Sequence, residues 1–301
     1  MFIFYLYLPF VMRFFSLFAL FTGISMVALS VAASVFAQDL RVVALHENPD
    51  RTMNAGIFAS ADPEAVRKYM PDGTAPASMS SFVLFAGEDV VLIDAGQNSE
   101  VWSTKLTELG VKPEDVKLIL ITHFHGDHIG GLLKDSVRRF PSAKVFSATP
   151  EYDFWLLQEG QARGATFARI RVAYGQDFGK FDFDEEVFAN PLVKVKALDA
   201  SGHTPGHTAF LIEPVQEGAV QEEQEKLLII GDLLHAAALQ FPVPEACASF
   251  DMDQEKAVSA RKRILDFAAE HKIPIGGMHL PAPSVGTVKK EGNGYVFELK
   301  K

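Results

Sequence analysis

The sequence predicts a mixed α/β domain with its sheets buried between helices, and three observations carry that prediction. Short apolar runs recur along the chain: Phe82-Val83-Leu84-Phe85, Val90-Val91-Leu92-Ile93, Leu118-Ile119-Leu120-Ile121, Lys144-Val145-Phe146 and Leu227-Leu228-Ile229-Ile230. Runs of this length and composition read as buried strands. Helical spacing appears between them, around residues 98–109, 131–139, 150–159 and 253–271. Finally, the segment Thr122-His123-Phe124-His125-Gly126-Asp127-His128 follows the strand at 118–121 directly, which places a dense set of donor side chains at a strand end.

Each element has a local reason. Gly87-Glu88-Asp89 splits the first two strands and reads as a hairpin turn. The helix at 253–271 starts at Asp251 or Asp253 as N-cap; Ala257, Ile264, Leu265 and Ala268 fall on its apolar face, with Arg261, Lys262 and Arg263 toward water. Gly130 and Gly131 let the backbone approach the histidine-rich loop before a helix that starts at Leu132. The acidic stretch Glu217 to Glu225 reads as a solvated loop. Residues 150–183 are aromatic and irregular: they predict a helical subdomain with its own small core, or a hydrophobic wall over a pocket.

The 301 residues divide unevenly by charge. Residues 1–37 contain one charged side chain, Arg13, and 8 of the 25 Phe. Met12-Arg13 forms a short positive start, Phe14 to Leu29 an apolar core, and Val35-Phe36-Ala37 a small-residue cleavage site before Gln38. Residues 1–37 are therefore expected to be a signal peptide, with Met12 a candidate true start, and residues 38–301 the domain. A retained anchor is the alternative, because about 20 apolar residues span a bilayer. Either way the domain is expected outside the cytosol, periplasmic or secreted. It carries 27 basic and 38 acidic side chains, a net charge of −11, and no basic patch. Nucleic acid is excluded as a partner on that ground. Cys247 stands alone, so no internal disulfide forms, and it reads as a small buried hydrophobe.

Three imidazoles and a carboxylate within six positions are not core filling. Crowded on one loop, they would repel or desolvate one another without a cation, and nitrogen and oxygen donors suit zinc or another first-row divalent ion.

This segment resembles the H-x-H-x-D-H signature of the metallo-β-lactamase superfamily, and the resemblance runs on along the domain. Asp94, in Leu92-Ile93-Asp94-Ala95-Gly96, resembles the early strand-end aspartate that supports the metal loop. Ser201-Gly202-His203-Thr204-Pro205-Gly206-His207 resembles the third motif, with His203 the ligand and His207 a supporting residue. Ile230-Gly231-Asp232 resembles the bridging aspartate, and Gly277-Met278-His279 the final histidine. The resemblance implies a four-layer αβ/βα sandwich, with two mixed β-sheets between outer helices. It implies two divalent metal ions, zinc foremost: one on His123, His125, His203 and Asp232, the other on Asp127, His128, Asp232 and His279. His46 and His271 have no motif context and are expected to be surface or structural.

The chemistry so implied is hydrolysis: a metal-bridging hydroxide attacks the carbonyl or phosphoryl centre of a small hydrophobic ester, lactone or phosphotriester. Asp127 would orient it and pass a proton. The segments Gly231 to Phe241, Asp251-Met252-Asp253, Ala257 to Arg263 and Gly276 to Pro281 resemble the exported methyl parathion hydrolase group. Phe124 and Trp155 are the candidates for a pocket wall. Related lactonases often place Tyr three residues after the bridging aspartate; here that position is His235, which either serves the reaction as hydrogen-bond donor or acid, or is fixed structurally by the Asp232 loop. The alternatives are β-lactam hydrolysis at the same site, which a bridging aspartate disfavours, and a mononuclear-iron sulfur dioxygenase, which a full dinuclear ligand set disfavours. The expected partner is a small-molecule substrate, with membrane contact only through an uncleaved leader; a homodimer stays open.

Overall fold

The computed structural model describes residues 40–97, 99–215 and 225–300; the expected signal peptide, residues 1–37, and nearly all of the acidic stretch lie outside the described residues. Two sheets form the centre. The first has six strands in the order β1 (Leu40–Asn48), β2 (Met79–Ala86), β3 (Asp89–Ile93), β4 (Val116–Leu120), β5 (Lys144–Ala148) and β6 (Phe178–Phe181). Pairing is antiparallel from β1 to β3 and parallel from β3 to β6. The second has seven: β7 (Glu186–Ala189), β8 (Val193–Asp199), β9 (Thr208–Pro214), β10 (Leu227–Ile229), β11 (Ile275–Gly276), β12 (Val285–Glu291) and β13 (Gly294–Leu299). Here only β10 and β11 run parallel.

The apolar runs are continuous because both faces of these strands are buried, and successive side chains enter different cores. Val83, Leu92, Ile119 and Val145 point to the helices α1 (Ser99–Glu108) and α3 (Ala165–Tyr174), where they meet Trp102, Leu106, Phe167 and Ile170. Phe82, Leu84, Val91, Ile93 and Leu120 point the other way, into a core shared with Val195, Ala197, Phe210, Ile212 and Ile229 of the second sheet. Leu211, Leu228 and Ile230 then face Ala260, Ile264, Leu265 and Ala268 of α4 (Gln254–Glu270). Helix, sheet, sheet and helix make the four layers.

Three expectations are corrected. No helix occupies 131–139: a 3-10 turn, Gly130–Leu132, leads into a tight hairpin of Leu133–Lys134 with Val137–Arg138. Its turn residues, Asp135 and Ser136, have φ of 48° and 66°, the left-handed geometry that two-residue hairpins demand. The aromatic segment has no separate core; α2 (Thr149–Leu156) and α3 lie on the first sheet, and Trp155, Phe167, Tyr174 and Phe178 join its main cluster. Arg261 does not face water. It is 1% exposed, because α4 turns that side chain inward onto the carbonyls of Leu233, Pro244 and Ala246. The N-cap of α4 is Asp253, which accepts from Lys256 N. Cys247 is buried and unpaired.

Candidate metal centre

The site lies at one end of the two sheets, where β3, β4, β8, β10 and β11 run out into loops. Asp94 follows β3 with φ of 61°, a strained backbone for a residue with a Cβ. Its carboxylate is fully buried and accepts from Thr122 N (2.8 Å), Thr122 Oγ1 (2.8 Å) and His128 Nδ1 (2.6 Å). One side chain thus fixes both ends of the histidine loop, whose middle coils into a four-residue helix, Gly126–Ile129.

The predicted donors converge in two groups. His123, His125, His203 and Asp232 form one, and Asp127, His128, Asp232 and His279 the other, with the donor atoms of each within 4.8 Å of one another. In the first, His123 Nε2, His125 Nδ1 and His203 Nε2 stand 3.0–3.2 Å apart pairwise. Nitrogens at 2.0–2.1 Å from a tetrahedral zinc would be about 3.3 Å apart, so the spacing fits a shared ion. Asp232 sits between the groups. Its Oδ2 is 3.6 Å from His203 Nε2, 3.7 Å from His123 Nε2 and 3.1 Å from His279 Nε2, while Oδ1 is 3.2 Å from His128 Nε2. That last pair makes no aligned hydrogen bond, and both atoms are buried without a partner. Facing donors left unsatisfied by protein are what a cation would complete.

Outer hydrogen bonds set the tautomers. His123 Nδ1 lies 3.1 Å from Thr122 Oγ1, His128 Nδ1 meets Asp94, His203 Nδ1 meets Asp251 Oδ1 (2.8 Å) and His279 Nδ1 meets the Ser78 carbonyl (3.0 Å). Each such Nδ1–H bond leaves Nε2 aimed inward. His207 points its ring elsewhere: Nδ1 donates to Ala200 O and Nε2 accepts from Asp232 N (2.9 Å), so it holds the bridging position. Gly231 must be glycine at this contact, since φ is 55° and a Cβ would lie 2.4 Å from His207 Nε2.

Electrostatics point the same way. Burial lowers His123 well below its ordinary range, and burial with the adjacent His203 brings His125 down to about 3. Burial also opposes charge on His128 and His279, but Asp232, Asp94 and Asp127 outweigh it at the first, raising it well above 6.5. Asp232 and Asp127 do so at the second, raising it to about 10. Burial works against the Asp232 carboxylate too, yet His128 and His279 hold it well below the usual range. Beside these carboxylates both imidazoles favour their protonated forms. Metal loading needs their lone pairs, so adding zinc to metal-free protein in weak buffer should release up to two protons per chain, and affinity should fall as pH falls. Loading with no proton release would contradict this charge balance.

The other predicted residues are placed as follows. Asp127 keeps 22% of its side chain exposed and lies 3.4 Å from His279 Nε2. His235 is 1% exposed, with Nε2 3.2 Å from Asp232 Oδ2, its ring stacked on His279 and edge-on to Phe250. Burial brings its pKa down to about 4, with the Asp232 contact opposing. Phe124 and Trp155, expected as pocket wall, are 2% and 3% exposed. The ring of Phe124 turns from the loop into the core against Phe167 and Phe178, and Trp155 lies edge-on to His125. The aromatic ring exposed beside the site is instead Phe250, 39% accessible and edge-on to both His203 and His235. His46 bonds Ser284 Oγ (3.1 Å) and His271 bonds the Phe267 carbonyl, and neither belongs to a donor group.

Sequence reasoning missed Phe250, Asp251 as partner of His203, Ser78 behind His279, and Gln240, whose Oε1 accepts from His235 N and Ala236 N. Gln240 and Asp251 lie inside segments already matched as motifs, but their partners could not be read from those motifs; Phe250 and Ser78 are brought here by the fold alone.

The chain belongs to the metallo-beta-lactamase superfamily, whose sequence profile matches residues 75–276. Among solved structures it resembles AidC, a dizinc quorum-quenching lactonase in complex with its N-hexanoyl-L-homoserine product, at TM-score 0.77 and 21% identity, covering 89% of this chain and 97% of that one. It also resembles the hydrolase AbOPH of the beta lactamase superfamily, at TM-score 0.73 and 27% identity, covering 88% and 96%. Similar curated proteins include a hydroxyacylglutathione hydrolase of Enterobacter sp. (strain 638), 30% identical over 142 residues, 46% of each chain. Another is an atrochrysone carboxyl ACP thioesterase of Pseudocercospora fijiensis (strain CIRAD86), 27% identical over 137 residues, 44% of this chain and 33% of that protein. The matched stretch thus spans under half the length of these curated relatives.

Proposed function

We propose that this protein is a dinuclear metal hydrolase of small hydrophobic esters, lactones or phosphotriesters, with zinc as the metal. One observation carries the reading: Asp232 belongs to both donor groups, so one carboxylate can serve two adjacent ions. Such a pair of ions supplies an ionised water as nucleophile and a Lewis acid for the electrophile's oxygen. The chain's residues do the rest. His123, His125, His128, His203 and His279 present fixed nitrogens, and Asp127, partly open to solvent, orients the attacking water and carries its proton toward the leaving group. His235 is the residue we assign to the substrate side of Asp232: its imidazole lies at hydrogen-bond distance from that carboxylate and under the exposed ring of Phe250. Phe250 and Met252, each about two-fifths exposed, offer apolar contact to an acyl or aryl group.

A lactone or ester is the substrate class we favour, with phosphotriester hydrolysis as a side activity in the manner of the methyl parathion hydrolase group. The likeness to AidC supports the first, and the motif resemblance downstream of Ser201 the second. Thioesters are the second reading, favoured by the thioesterase and hydroxyacylglutathione hydrolase relatives. Export to the periplasm or medium rests on the leader-like residues 1–37. The test is metal quantification together with kcat/KM on acyl-homoserine lactones, simple lactones, aryl esters, an acyl thioester, methyl parathion and a carbapenem. Turnover is expected to be fastest on a lactone or ester. Protein holding two metals that turns over none of these would overturn the reading.

A further inference from the structure

Glu151 is a fully buried carboxylate that the chemistry above does not use. It projects from α2 between the two loops that supply the three-histidine group. Oε1 accepts from Phe124 N (2.9 Å) and Trp155 Nε1 (2.7 Å), and Oε2 from Thr204 Oγ1 (2.7 Å) and Gly206 N (2.9 Å). All four donors are neutral, and three of them, Phe124 N, Gly206 N and Trp155 Nε1, can only donate; burial pushes the carboxyl above its ordinary value while these four bonds favour the carboxylate. Burying a charge without a counter-ion is costly, and these four bonds offset that cost.

The partners explain the cost. Phe124 lies between His123 and His125, and Thr204 follows His203. Thr208 N to Thr122 O, 3.0 Å, is a further link between these segments, one step back from the donors. The third-motif loop also rests on the backbone of α2: a Cβ on Gly206 would lie 2.1 Å from Glu151 N. Trp155, held by the same carboxylate, supports His125 edge-on with ring centroids 6.1 Å apart. No atom of Glu151 bonds Asp127, His128, Asp232 or His279, or the residues on either side of them in sequence.

We propose that Glu151 is a positioning residue that sets the separation of His123 and His125 from His203, and so governs metal affinity at the three-histidine position alone. The inference rests on the dinuclear reading above.

Cobalt(II) binding measured against a competing chelator tests it, one position at a time. In a His279→Ala background the three-histidine position remains, and Glu151→Gln should weaken cobalt there about 10–100-fold, the usual effect of losing a residue that orients a ligand. In a His123→Ala background, where the other position remains, the same change should leave affinity within about twofold. Thr204→Val, which removes one of the four bonds, should give a smaller loss at the first position only; it decides the matter should Glu151→Gln fail to fold. Equal loss at both positions, or no loss at the first, would overturn the inference. Parent protein that takes up no cobalt would instead defeat the dinuclear reading, so the two failures are distinguishable.

Discussion

Replacing Asp232 with alanine is expected to lower kcat/KM on the best substrate by at least about 1000-fold, roughly 4 kcal/mol of transition-state stabilisation. The carboxylate lies within 3.1–3.7 Å of the inward nitrogens of His123, His128, His203 and His279. No other donor belongs to both groups among the described residues. Its loss removes one negative charge from between the two donor groups and leaves crowded imidazoles facing each other, so metal content should fall together with the rate. Asp232→Asn separates charge from shape: the amide fills the same space but provides one acceptor and no charge. It should lose metal nearly as severely as alanine. Metal analysis and steady-state kinetics on the same preparations make the check. A variant that keeps two ions and a near-normal rate would show that Asp232 does not join the two positions.

The contrast with its neighbours shows which parts of the site were readable in the sequence. His123, His125, Asp127 and His128 were legible because they are close in sequence and follow a recognisable strand. His203, Asp232 and His279 were legible through short motifs at strand ends. The two sheets were legible too, since a strand buried on both faces must be apolar at every position, as 91–93 and 227–230 are. The supports were not. Asp251 lies 48 residues from His203, and Ser78 lies 201 from His279, so no local pattern links them. Glu151 shares a short aromatic helix with Asp153, and an acid there looks like a solvent-facing residue. Phe124 misled in the opposite way: its place between two ligands suggested a pocket, but adjacent side chains on an extended strand end point to opposite sides, and its side is the core. The helix expected at 131–139 does not form, because Asp135-Ser136 favours a left-handed hairpin turn over a helix interior.

Arg261→Ala is expected to destabilise the fold by about 3–5 kcal/mol, the range found when one member of a buried charged network is removed. For a protein whose total stability is on the order of 5–15 kcal/mol, that is a large fraction. The guanidinium is 1% exposed and donates from Nε to Leu233 O (2.8 Å) and from one terminal nitrogen to Pro244 O (2.7 Å) and Ala246 O (3.0 Å). Its other terminal nitrogen lies 3.6 Å from Asp251 Oδ2. These contacts gather the segment from Leu233 to Asp251, which carries His235, Gln240 and Phe250, onto α4. Alanine would leave the Leu233 and Pro244 carbonyls without their donor, the Ala246 carbonyl with only Gln240 Nε2, and the Asp251 carboxylate buried without its cation. Lysine should rescue little, since a single ammonium does not reproduce the guanidinium's spread of donors. Because Asp251 also holds His203 Nδ1, the damage should reach the metal: chelator competition should show weaker binding at the three-histidine position than in the parent. Denaturant unfolding of metal-free and metal-loaded protein separates the two effects. A loss in the metal-free protein measures the packing network, and any further loss on loading measures what Asp251 contributes through His203. Stability and affinity both within error of the parent would mean that the buried guanidinium is replaceable by water and neighbouring side chains, and that the loop is held by its own backbone bonds.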